Sequence, residues 1–494
     1  MDIIDALYSR TVFGPLFKKR ETWAAWEVYL RALFGLGITD AAQLDLFKAC
    51  TGLDAAPSVQ NQESFVICGR RSGKSFMSAV IAAYLASFKD WRPYLSPGER
   101  GWIFVVATDK SQAGIIKNYI SGIFDRTACL KKLVTRETQE SIDLRNGISI
   151  AVKPCSFRAI RGYTLIAAIL EEMAFYRSDE FANPDRAVLA AIRPALATIP
   201  ESLLIGISTP YARSGVLWEM FKNYYGQPGG PLVWRAATRT MNPTINQGLI
   251  AKALAEDPQA ARAEYEADWR EDIAAFMPSE VVEAVVVPGR FELPKVAELQ
   301  YKAFIDPSGG RADSFTLAIA HKDSSGKAVL DVLRERRPPF QPQGVVGEFS
   351  EVLKAYGLFS AQADAYAAEW VRESFRAHEV SLEPSKMSAS ELYQNFLPLV
   401  LNGSAELLDS RRLVAQLAGL ERRTRAGGKD LVTHYAGGHD DLANAAAGAC
   451  VAVAGRGCDF GYDAGDSACV DAEGDDDDDD DGPSIGEFRR VFRC

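Results

Sequence analysis

The stretch at 68–75, Cys-Gly-Arg-Arg-Ser-Gly-Lys-Ser, constrains the fold of this chain more than any other part of the sequence. An apolar run at 65–67 leads into it, and a mostly apolar helical run at 76–85 follows. A strand, a glycine-containing turn, a Lys-Ser pair and a helix form a phosphate-binding loop, because backbone N–H groups and the helix N-terminus face the anion. We predict that Lys74 reaches the β- and γ-phosphates of ATP and that the Ser75 hydroxyl binds Mg²⁺.

The loop departs from the usual pattern at one position. A glycine normally lies five residues before the Gly-Lys pair, and this chain has Cys68 there. Gly69, one place later, can supply the turn. The alternative interpretation is a basic strand-to-helix turn that binds nothing. The predicted nucleotide-binding residues are Gly69, Arg70, Arg71, Ser72, Gly73, Lys74 and Ser75.

Strands and helices alternate after this loop, which predicts a parallel sheet whose ligands lie at the carboxyl ends of its strands. Asn146-Gly147 predicts a hairpin with a type I′ turn. Three polar pairs follow predicted strands: Thr108-Asp109, Glu171-Glu172 and Ser208-Thr209. The predicted strands lie at 102–107, 142–145, 148–152, 165–170 and 203–207.

The pair Glu171-Glu172 suits ATP hydrolysis, which needs one acid that helps to hold Mg²⁺ and another that orients the attacking water. We assign the first role to Glu171 and the second to Glu172. Taken alone, two acids after a strand would also suit a helix cap. The sequence does not identify which arginine offsets charge in the transition state. The candidates are Arg70, Arg71, Arg158 and Arg161.

The second half of the chain has the element order of an RNase H-like domain: three strands, a helix, a strand and further helices. Asp306 follows the first strand, Asp364 lies on a later strand, and Asp440 opens the last helix. The predicted strands lie at 303–305, 315–320, 328–333 and around 364. The predicted helices lie at 345–356, 369–378, 391–397 and 413–422, and a last helix opened by the segment at 437–441 runs to about 454.

These aspartates can hold two divalent cations that clamp the attacking and leaving oxygens of a phosphodiester. Mg²⁺ and Mn²⁺ prefer carboxylate oxygens. We predict Asp306, Asp364 and Asp440 as ligands, with Asp441 assisting and Asp313 as a weaker candidate. Each aspartate alone would suit a turn or a helix cap, and His439 suits a loop better than a metal site.

With 494 residues, the chain should form two or three domains. We predict a P-loop ATPase domain with a helical N-terminal segment at 1–275, a linker at 276–296, an RNase H-like nuclease domain at 297–457 and a disordered acidic tail at 458–494. The tail has 13 acidic and 3 basic residues, which accounts for the whole formal charge of −10. The rest is neutral, which neither supports nor excludes nucleic-acid binding.

The sequence does not predict a membrane protein, a secreted protein or a zinc-binding protein. The apolar runs are too short to cross a membrane, and no signal-peptide core is evident, so we expect a cytoplasmic protein. Eight cysteines without a Cys-x-x-Cys pair predict free thiols and no zinc site.

Taken together, the motifs resemble those of the large terminase subunit of tailed bacteriophages, the motor that packages DNA. The resemblance covers roughly residues 20–455 and depends on the order of the motifs. They are Gly-Arg-Arg-Ser-Gly-Lys-Ser at 69–75, Ala-Thr-Asp at 107–109 with Gln112, Arg161-Gly162, Leu-Glu-Glu at 170–172, Ser-Thr-Pro at 208–210, Ile-Asp-Pro at 305–307, Asp364 and His-Asp-Asp at 439–441.

The resemblance implies an ASCE-type P-loop ATPase joined to an RNase H-like nuclease. It implies ATP-driven translocation of double-stranded DNA into a viral procapsid and metal-dependent cutting of concatemeric DNA. Ser208 and Thr209 would couple hydrolysis to movement. ATP and Mg²⁺, or Mn²⁺ at the nuclease site, would be required. Glu171 stands where the family more often has Asp, and the acidic tail lies outside the shared pattern.

The implied partners are double-stranded DNA, the portal protein and a small terminase subunit that selects the DNA. The chain would form a homo-oligomeric ring in the host cytoplasm, docked transiently on the procapsid and not kept in the mature virion. Two alternatives remain. One is a P-loop DNA translocase or helicase whose second domain binds but does not cut DNA, and the other is an assembly protein that uses ATP binding as a conformational lock.

Overall fold

The computed structural model describes residues 1–155, 162–178, 181–311, 313–364, 369–424, 430–435 and 438–455. The candidate arginines Arg158 and Arg161 lie outside these ranges. The acidic tail at 458–494, for which the sequence predicts disorder, also lies outside the described residues.

Helices and strands alternate through most of the chain. The helices are α1 (Ile3–Tyr8), α2 (Ala24–Phe34), α3 (Ala41–Thr51), α4 (Lys74–Phe88), α5 (Lys110–Arg126), α6 (Ala128–Lys131), α7 (Pro184–Leu196), α8 (Gly215–Tyr224), α9 (Thr238–Met241), α10 (Gln247–Glu256), α11 (Pro258–Glu266), α12 (Ser279–Glu283), α13 (Pro342–Ala355), α14 (Glu369–Ala377), α15 (Ala389–Leu401), α16 (Arg411–Ala418) and α17 (Asp441–Ala454). The strands are β1 (Glu63–Cys68), β2 (Gly101–Ala107), β3 (Val134–Glu137), β4 (Ser141–Leu144), β5 (Ile148–Pro154), β6 (Thr164–Glu171), β7 (Leu203–Ser208), β8 (Leu232–Ala236), β9 (Ile273–Ala275), β10 (Tyr301–Asp306), β11 (Phe315–Lys322), β12 (Ala328–Arg336), β13 (Ser360–Ala363), β14 (Ser381–Pro384), β15 (Ala405–Glu406), β16 (Leu420–Thr424) and β17 (Asp430–His434).

The first domain is built on a sheet whose strand order is β3-β4-β5-β2-β6-β7-β1-β8. The strands from β5 to β8 pair in parallel, and β3 and β4 are antiparallel additions at one edge. β7 lies between β1, which leads into the 68–75 loop, and β6, which ends in Glu171. This is the strand order of an ASCE-type P-loop domain, and it confirms the α/β class predicted for the first half.

Both faces of this sheet are buried, as expected for parallel strands covered by helices. On β1, Val66 and Cys68 belong to one apolar core, and Phe65 and Ile67 belong to the core on the other face. The helical N-terminal segment packs into the first core. The continuous apolar character of the strand therefore follows from burial on two sides.

The hairpin of β4 and β5 forms, but the predicted type I′ turn is wrong. That turn requires positive φ at both central residues, and positive φ is found at Gly147 (83°) but not at Asn146. The Gly147 N–H donates to the Leu144 carbonyl at 3.2 Å. The connection is therefore a turn over 144–147 that ends in a left-handed glycine, which is the common three-residue hairpin loop.

The second domain has the strand order β14-β13-β10-β11-β12-β15. β10, β11 and β12 are antiparallel, whereas β13 pairs in parallel with β10 and β14 pairs in parallel with β13. This is the RNase H-like topology that the sequence predicts. α17 packs against β10 and β11, and Asn444 on its first turn donates to Asp306 at the carboxyl end of β10.

The first part of the predicted linker at 276–296 packs against the second domain. Phe276, Met277 and Val282 are buried in the core of the second domain. Just before them, β9 pairs with β16. This segment is therefore attached to the second domain by apolar burial and strand pairing.

The predicted helix at 413–422 is also shorter than expected. The observed helix, α16, ends at Ala418. Residues 420–424 form the strand β16, which pairs with β9 and β17. β16 is stabilised by pairing with segments that are distant in the chain. Its own sequence therefore has no alternation of apolar and polar residues that would predict a strand. No helix among the described ranges is long and apolar enough to cross a lipid bilayer.

We predict that Gly448→Ala destabilises the second domain. A Cβ at Gly448, in the middle of α17, would lie 2.3 Å from ring carbons of the fully buried Phe304 on β10. Overpacking of this kind costs about 1–3 kcal/mol, against about 1 kcal/mol gained from helix propensity. Chemical denaturation should show a lower free energy of unfolding. Gly114→Ala in α5 is the matched control, because a Cβ there meets nothing within 4 Å; equal effects of the two changes would contradict the packing.

Candidate functional site

The 68–75 loop is fixed in shape by aromatic residues of the N-terminal helical segment. Trp26 Nε1 donates to the Ser72 carbonyl at 2.8 Å, and Ser72 Oγ donates to the Gly69 carbonyl at 2.7 Å. Gly73 has a φ of 89°, and a Cβ there would lie 2.9 Å from the Trp23 ring. Only glycine adopts this conformation without strain and leaves room for the tryptophan.

The two arginines of the loop have different surroundings. Arg70 forms an ion pair with Glu264 at 3.2 Å, and its backbone carbonyl accepts from Thr238 Oγ1. Arg71 is exposed and has a φ of 65°. The structure therefore holds the Arg70 side chain against α11 and leaves the Arg71 side chain facing solvent.

Lys74 lies at the centre of the loop and is 6% exposed. Its Nζ donates to the carbonyls of Cys68 at 3.3 Å and Gly69 at 3.2 Å, and to Thr209 Oγ1 at 2.7 Å. Glu172 Oε1 is 3.4 Å from the same nitrogen. One ammonium group thus contacts the ends of β1, β6 and β7.

Glu171, the last residue of β6, faces the first turn of α4. Ser75 Oγ donates to its Oε2 at 3.1 Å, and Ser78 Oγ donates to its Oε1. Burial raises the pKa of the Glu171 carboxyl to about 7, although the hydrogen bond from Ser78 acts in the opposite direction. The pairing of Ser75 with a strand-end acid is the arrangement that would hold Mg²⁺ beside a bound nucleotide.

Glu172 has a left-handed backbone conformation, with a φ of 51°. Such a conformation costs about 1–3 kcal/mol for a non-glycine residue and persists only where neighbouring contacts hold it. The Glu172 N–H donates to the Ile207 carbonyl at 2.7 Å, while its Oε2 accepts from Ser208 Oγ and the Thr209 N–H, each at 3.1 Å. The turn therefore directs the Glu172 carboxylate toward Lys74 and the end of β7.

A second group of acids lies at the carboxyl end of β10. Asp306 is the last residue of β10, and Asp364 directly follows the parallel strand β13. Asn444, on the first turn of α17, donates its Nδ2 to Asp306 Oδ2 at 2.8 Å and to Asp364 Oδ2 at 3.2 Å. Burial raises the pKa of the Asp306 carboxyl well above its ordinary value, and the neighbouring carboxylates of Asp441, Asp364 and Asp440 raise it further.

The adjacent acids Asp440 and Asp441 have different partners. Asp440 Oδ2 accepts from Tyr393 Oη at 2.8 Å, and Asp441 Oδ2 accepts from the Ser314 N–H at 3.1 Å. Burial raises the pKa of the Asp441 carboxyl to about 6. The weaker candidate Asp313 precedes Ser314 and contacts His439 at 3.2 Å, and its negative charge adds to the rise in the pKa of Asp441.

The donor set of this second group suits a hard divalent cation. Four carboxylates lie at one edge, and burial of several like charges is unfavourable unless a cation or proton offsets them. Within the described ranges, no cluster of three or more His, Cys, Asp or Glu side chains has metal-binding geometry as it stands. A metal bound here would therefore require the side chains to close in.

A cleft of about 430 Å³ lies beside the loop that follows Glu172 and is lined by residues of both domains, with none from the 68–75 loop. At its wall, Tyr211 Oη donates to Glu421 Oε2 at 3.1 Å. The Arg177 guanidinium lies 4.8 Å from the centre of the Tyr435 ring and 4.0 Å from the Glu421 carboxylate. The segment after Ser208-Thr209 thereby contacts the β16–β17 hairpin, which leads toward Asp440.

Sequence reasoning missed three contributors to these sites: Ser78, Asn444 and the contact of Tyr211 with Glu421. Ser78 lies three residues after Ser75 on one helix, so its position on the same face could have been inferred. Asn444 follows Asp440 by four residues and could have been found in the same way. Nothing local in the sequence relates Tyr211 to Glu421.

We predict that Cys68 resists alkylation in the native protein. Burial raises the pKa of its thiol to about 12, so the reactive thiolate is scarce at pH 8.5, and the side chain is fully buried. Cys129 is exposed and serves as the internal control. Peptide mapping after iodoacetamide treatment should find modification at Cys129 and none at Cys68, with both modified in urea. Equal native labelling would contradict the placement of Cys68 in the sheet.

Comparison with known proteins gives structural matches only, because no family model and no curated protein matches the chain. The large terminase of bacteriophage HK97 matches with 17% identity over 80% of this chain and 91% of that one, with a TM-score of 0.35. The large terminase of a thermophilic bacteriophage, solved in complex with ADP, matches with 12% identity over 85% and 96%, with a TM-score of 0.35. The large terminase nuclease from thermophilic phage G20c with bound magnesium matches with 17% identity over 36% and 97%, with a TM-score of 0.31. The chain is similar to solved large terminases, the class that the order of its motifs predicts.

Proposed function

We propose that this chain is the large subunit of a phage DNA-packaging motor, which uses ATP to move double-stranded DNA into a procapsid and cuts concatemeric DNA. One observation carries the proposal. A single chain has the 68–75 loop beside two strand-end glutamates in one α/β domain, and a cluster of aspartates at a strand end in a second domain of RNase H-like topology. A motor that also cuts its substrate needs both sites.

In the first site, Lys74 and the loop N–H groups would bind the phosphates of ATP. Lys74 contacts Glu172 and Thr209 now, and phosphate oxygens would compete for the same ammonium group. ATP binding would therefore release the Glu172 carboxylate to orient water and change the contacts of Thr209. This exchange supports the coupling role proposed for Ser208 and Thr209.

In the second site, Asp306, Asp364, Asp440 and Asp441 would hold the divalent cations. Bound there, Mg²⁺ or Mn²⁺ would supply Lewis-acid stabilisation of the attacking and leaving oxygens of a phosphodiester. At the first site, Ser75 and Glu171 would hold Mg²⁺. The contacts of Tyr393 with Asp440 and of Ser314 with Asp441 would orient these two carboxylates.

The partners follow from this function. We propose double-stranded DNA as substrate, the portal protein and a small terminase subunit as partners, and a homo-oligomeric ring as the packaging form. The site of action would be the host cytoplasm, where the chain docks transiently on the procapsid and is absent from the mature virion.

We predict that Lys74→Ala abolishes ATP turnover because phosphate contacts are lost. Glu172→Gln should retain nucleotide binding but slow hydrolysis by at least about 100-fold, since the group that orients water is lost. Phosphate release and fluorescent-nucleotide binding measure the two effects. Lys89→Ala is the matched control, because Lys89 at the far end of α4 contacts Gln60 and Glu201. Normal turnover in Glu172→Gln would remove the role given to Glu172.

We predict that Asp306→Ala stops metal-dependent cleavage of plasmid DNA by the full chain and leaves ATP turnover intact. The change removes a proposed ligand in the second domain, while the acids of the first site are different residues. Asp323→Ala is the control, because Asp323 is a half-buried acid in the turn between β11 and β12, where it accepts from the Lys327 N–H. EDTA should stop cleavage by the parent chain. If the parent binds DNA but never cuts it with Mg²⁺ or Mn²⁺, a translocase with a DNA-binding second domain would replace this proposal.

A further inference from the structure

Asn444 occupies a position in the second site that sequence reasoning did not single out. It is 3% exposed, and its backbone N–H donates to the Asp440 carbonyl at 2.7 Å on the first turn of α17. Its Nδ2 bridges Asp306 Oδ2 and Asp364 Oδ2 at 2.8 and 3.2 Å. The amide therefore lies where two carboxylates from parallel neighbouring strands converge.

The other half of the same amide is unsatisfied. Asn444 Oδ1 is buried and has no hydrogen-bond partner within the described ranges. A buried acceptor without a partner is unfavourable, so the bridging orientation gains two charge-assisted hydrogen bonds and leaves one oxygen unpaired. A half rotation about the Cβ–Cγ bond would exchange the positions of Nδ2 and Oδ1.

From this geometry we propose that Asn444 is a metal ligand of the nuclease site, which presents Oδ1 to the cation that Asp306 and Asp364 bind. The inference rests on the proposed nuclease function. A cation between the two carboxylates would repel the amide N–H groups that now face them and would attract the amide oxygen. Side-chain amide oxygens are ordinary ligands of hard divalent cations.

The alternative is a purely structural bridge, in which Asn444 holds two carboxylates but never contacts the metal. The two roles differ in what substitution does to metal affinity. A ligand contributes to affinity through its oxygen, so an aspartate can replace it. A structural bridge contributes through its N–H groups, which neither alanine nor aspartate can supply.

The test is Mn²⁺ binding to the full chain without nucleotide, measured by calorimetry after EDTA removal, alongside melting temperatures with and without Mn²⁺. Asn444→Ala should weaken Mn²⁺ binding about tenfold or more, a loss that removal of an outer-shell partner also causes, so the aspartate variant distinguishes the two roles. In EDTA, Asn444→Asp should have a lower melting temperature than the parent, because three carboxylates then meet without a hydrogen-bond donor. Mn²⁺ should raise its melting temperature by more than it raises that of the parent. Asn395→Ala is the control, since Asn395 is exposed on α15 and donates to the Glu391 carbonyl.

Asp306→Ala separates failure of this inference from failure of the proposed function. If the parent and Asp306→Ala bind Mn²⁺ equally, the nuclease site itself is refuted. If Asp306→Ala loses binding while Asn444→Ala binds as tightly as the parent, the ligand role of Asn444 is refuted. Should Asn444→Ala fail to fold, Asn444→Asp decides, and a gain from Mn²⁺ no larger than that of the parent would overturn the inference.

Discussion

The buried ammonium group of Lys74 is the interaction on which the first site depends. A charged nitrogen that is withdrawn from water must be surrounded by acceptors, and here the Cys68 and Gly69 carbonyls, the Thr209 hydroxyl and the Glu172 carboxylate provide them. These acceptors belong to the ends of three strands that are neighbours in the sheet, β1, β7 and β6. Any ligand that replaces them at the ammonium group must alter all three strand ends together. The proposed binding of phosphate at this loop would therefore link nucleotide binding to movement of three strand ends.

The two sites share a backbone arrangement but differ in the side chains that surround their carboxylates. Each places a carboxylate on the last residue of a strand, beside a parallel neighbour, under the N-terminus of a helix: Glu171 under α4 and Asp306 near α17. In both, burial raises the pKa of the carboxyl. The first site offsets its acids with serine hydroxyls and a lysine, whereas the second does so with an asparagine amide.

Sequence reasoning recovered the elements whose signals are local. Apolar runs that end in Glu171, Ser208 and Asp306 predicted strands whose ends meet, and the structure brings Glu171 to Ser75 and Asp306 to Asp364. Residues that depend on distant pairing were not predicted. The pattern at 420–424, Leu-Glu-Arg-Arg-Thr, has no clear alternation, and its strand is stabilised by β9 and β17. Asn444 is different, because its spacing of four residues from Asp440 places both on one face of a helix and makes it predictable from the sequence.

Two separate cation sites in one chain, one beside the phosphate-binding loop and one between the second-domain acids, are what the proposed motor requires. Crystals of the full chain grown with Mn²⁺ and a non-hydrolysable ATP analogue would locate both through anomalous scattering. We expect one manganese peak between Ser75 and Glu171 at the phosphates, and at least one more between Asp306 and Asp364. We also expect Lys74 to leave Glu172 for the phosphates. Manganese at the nucleotide alone, with the amide of Asn444 still bridging the two aspartates, would contradict the two-site arrangement.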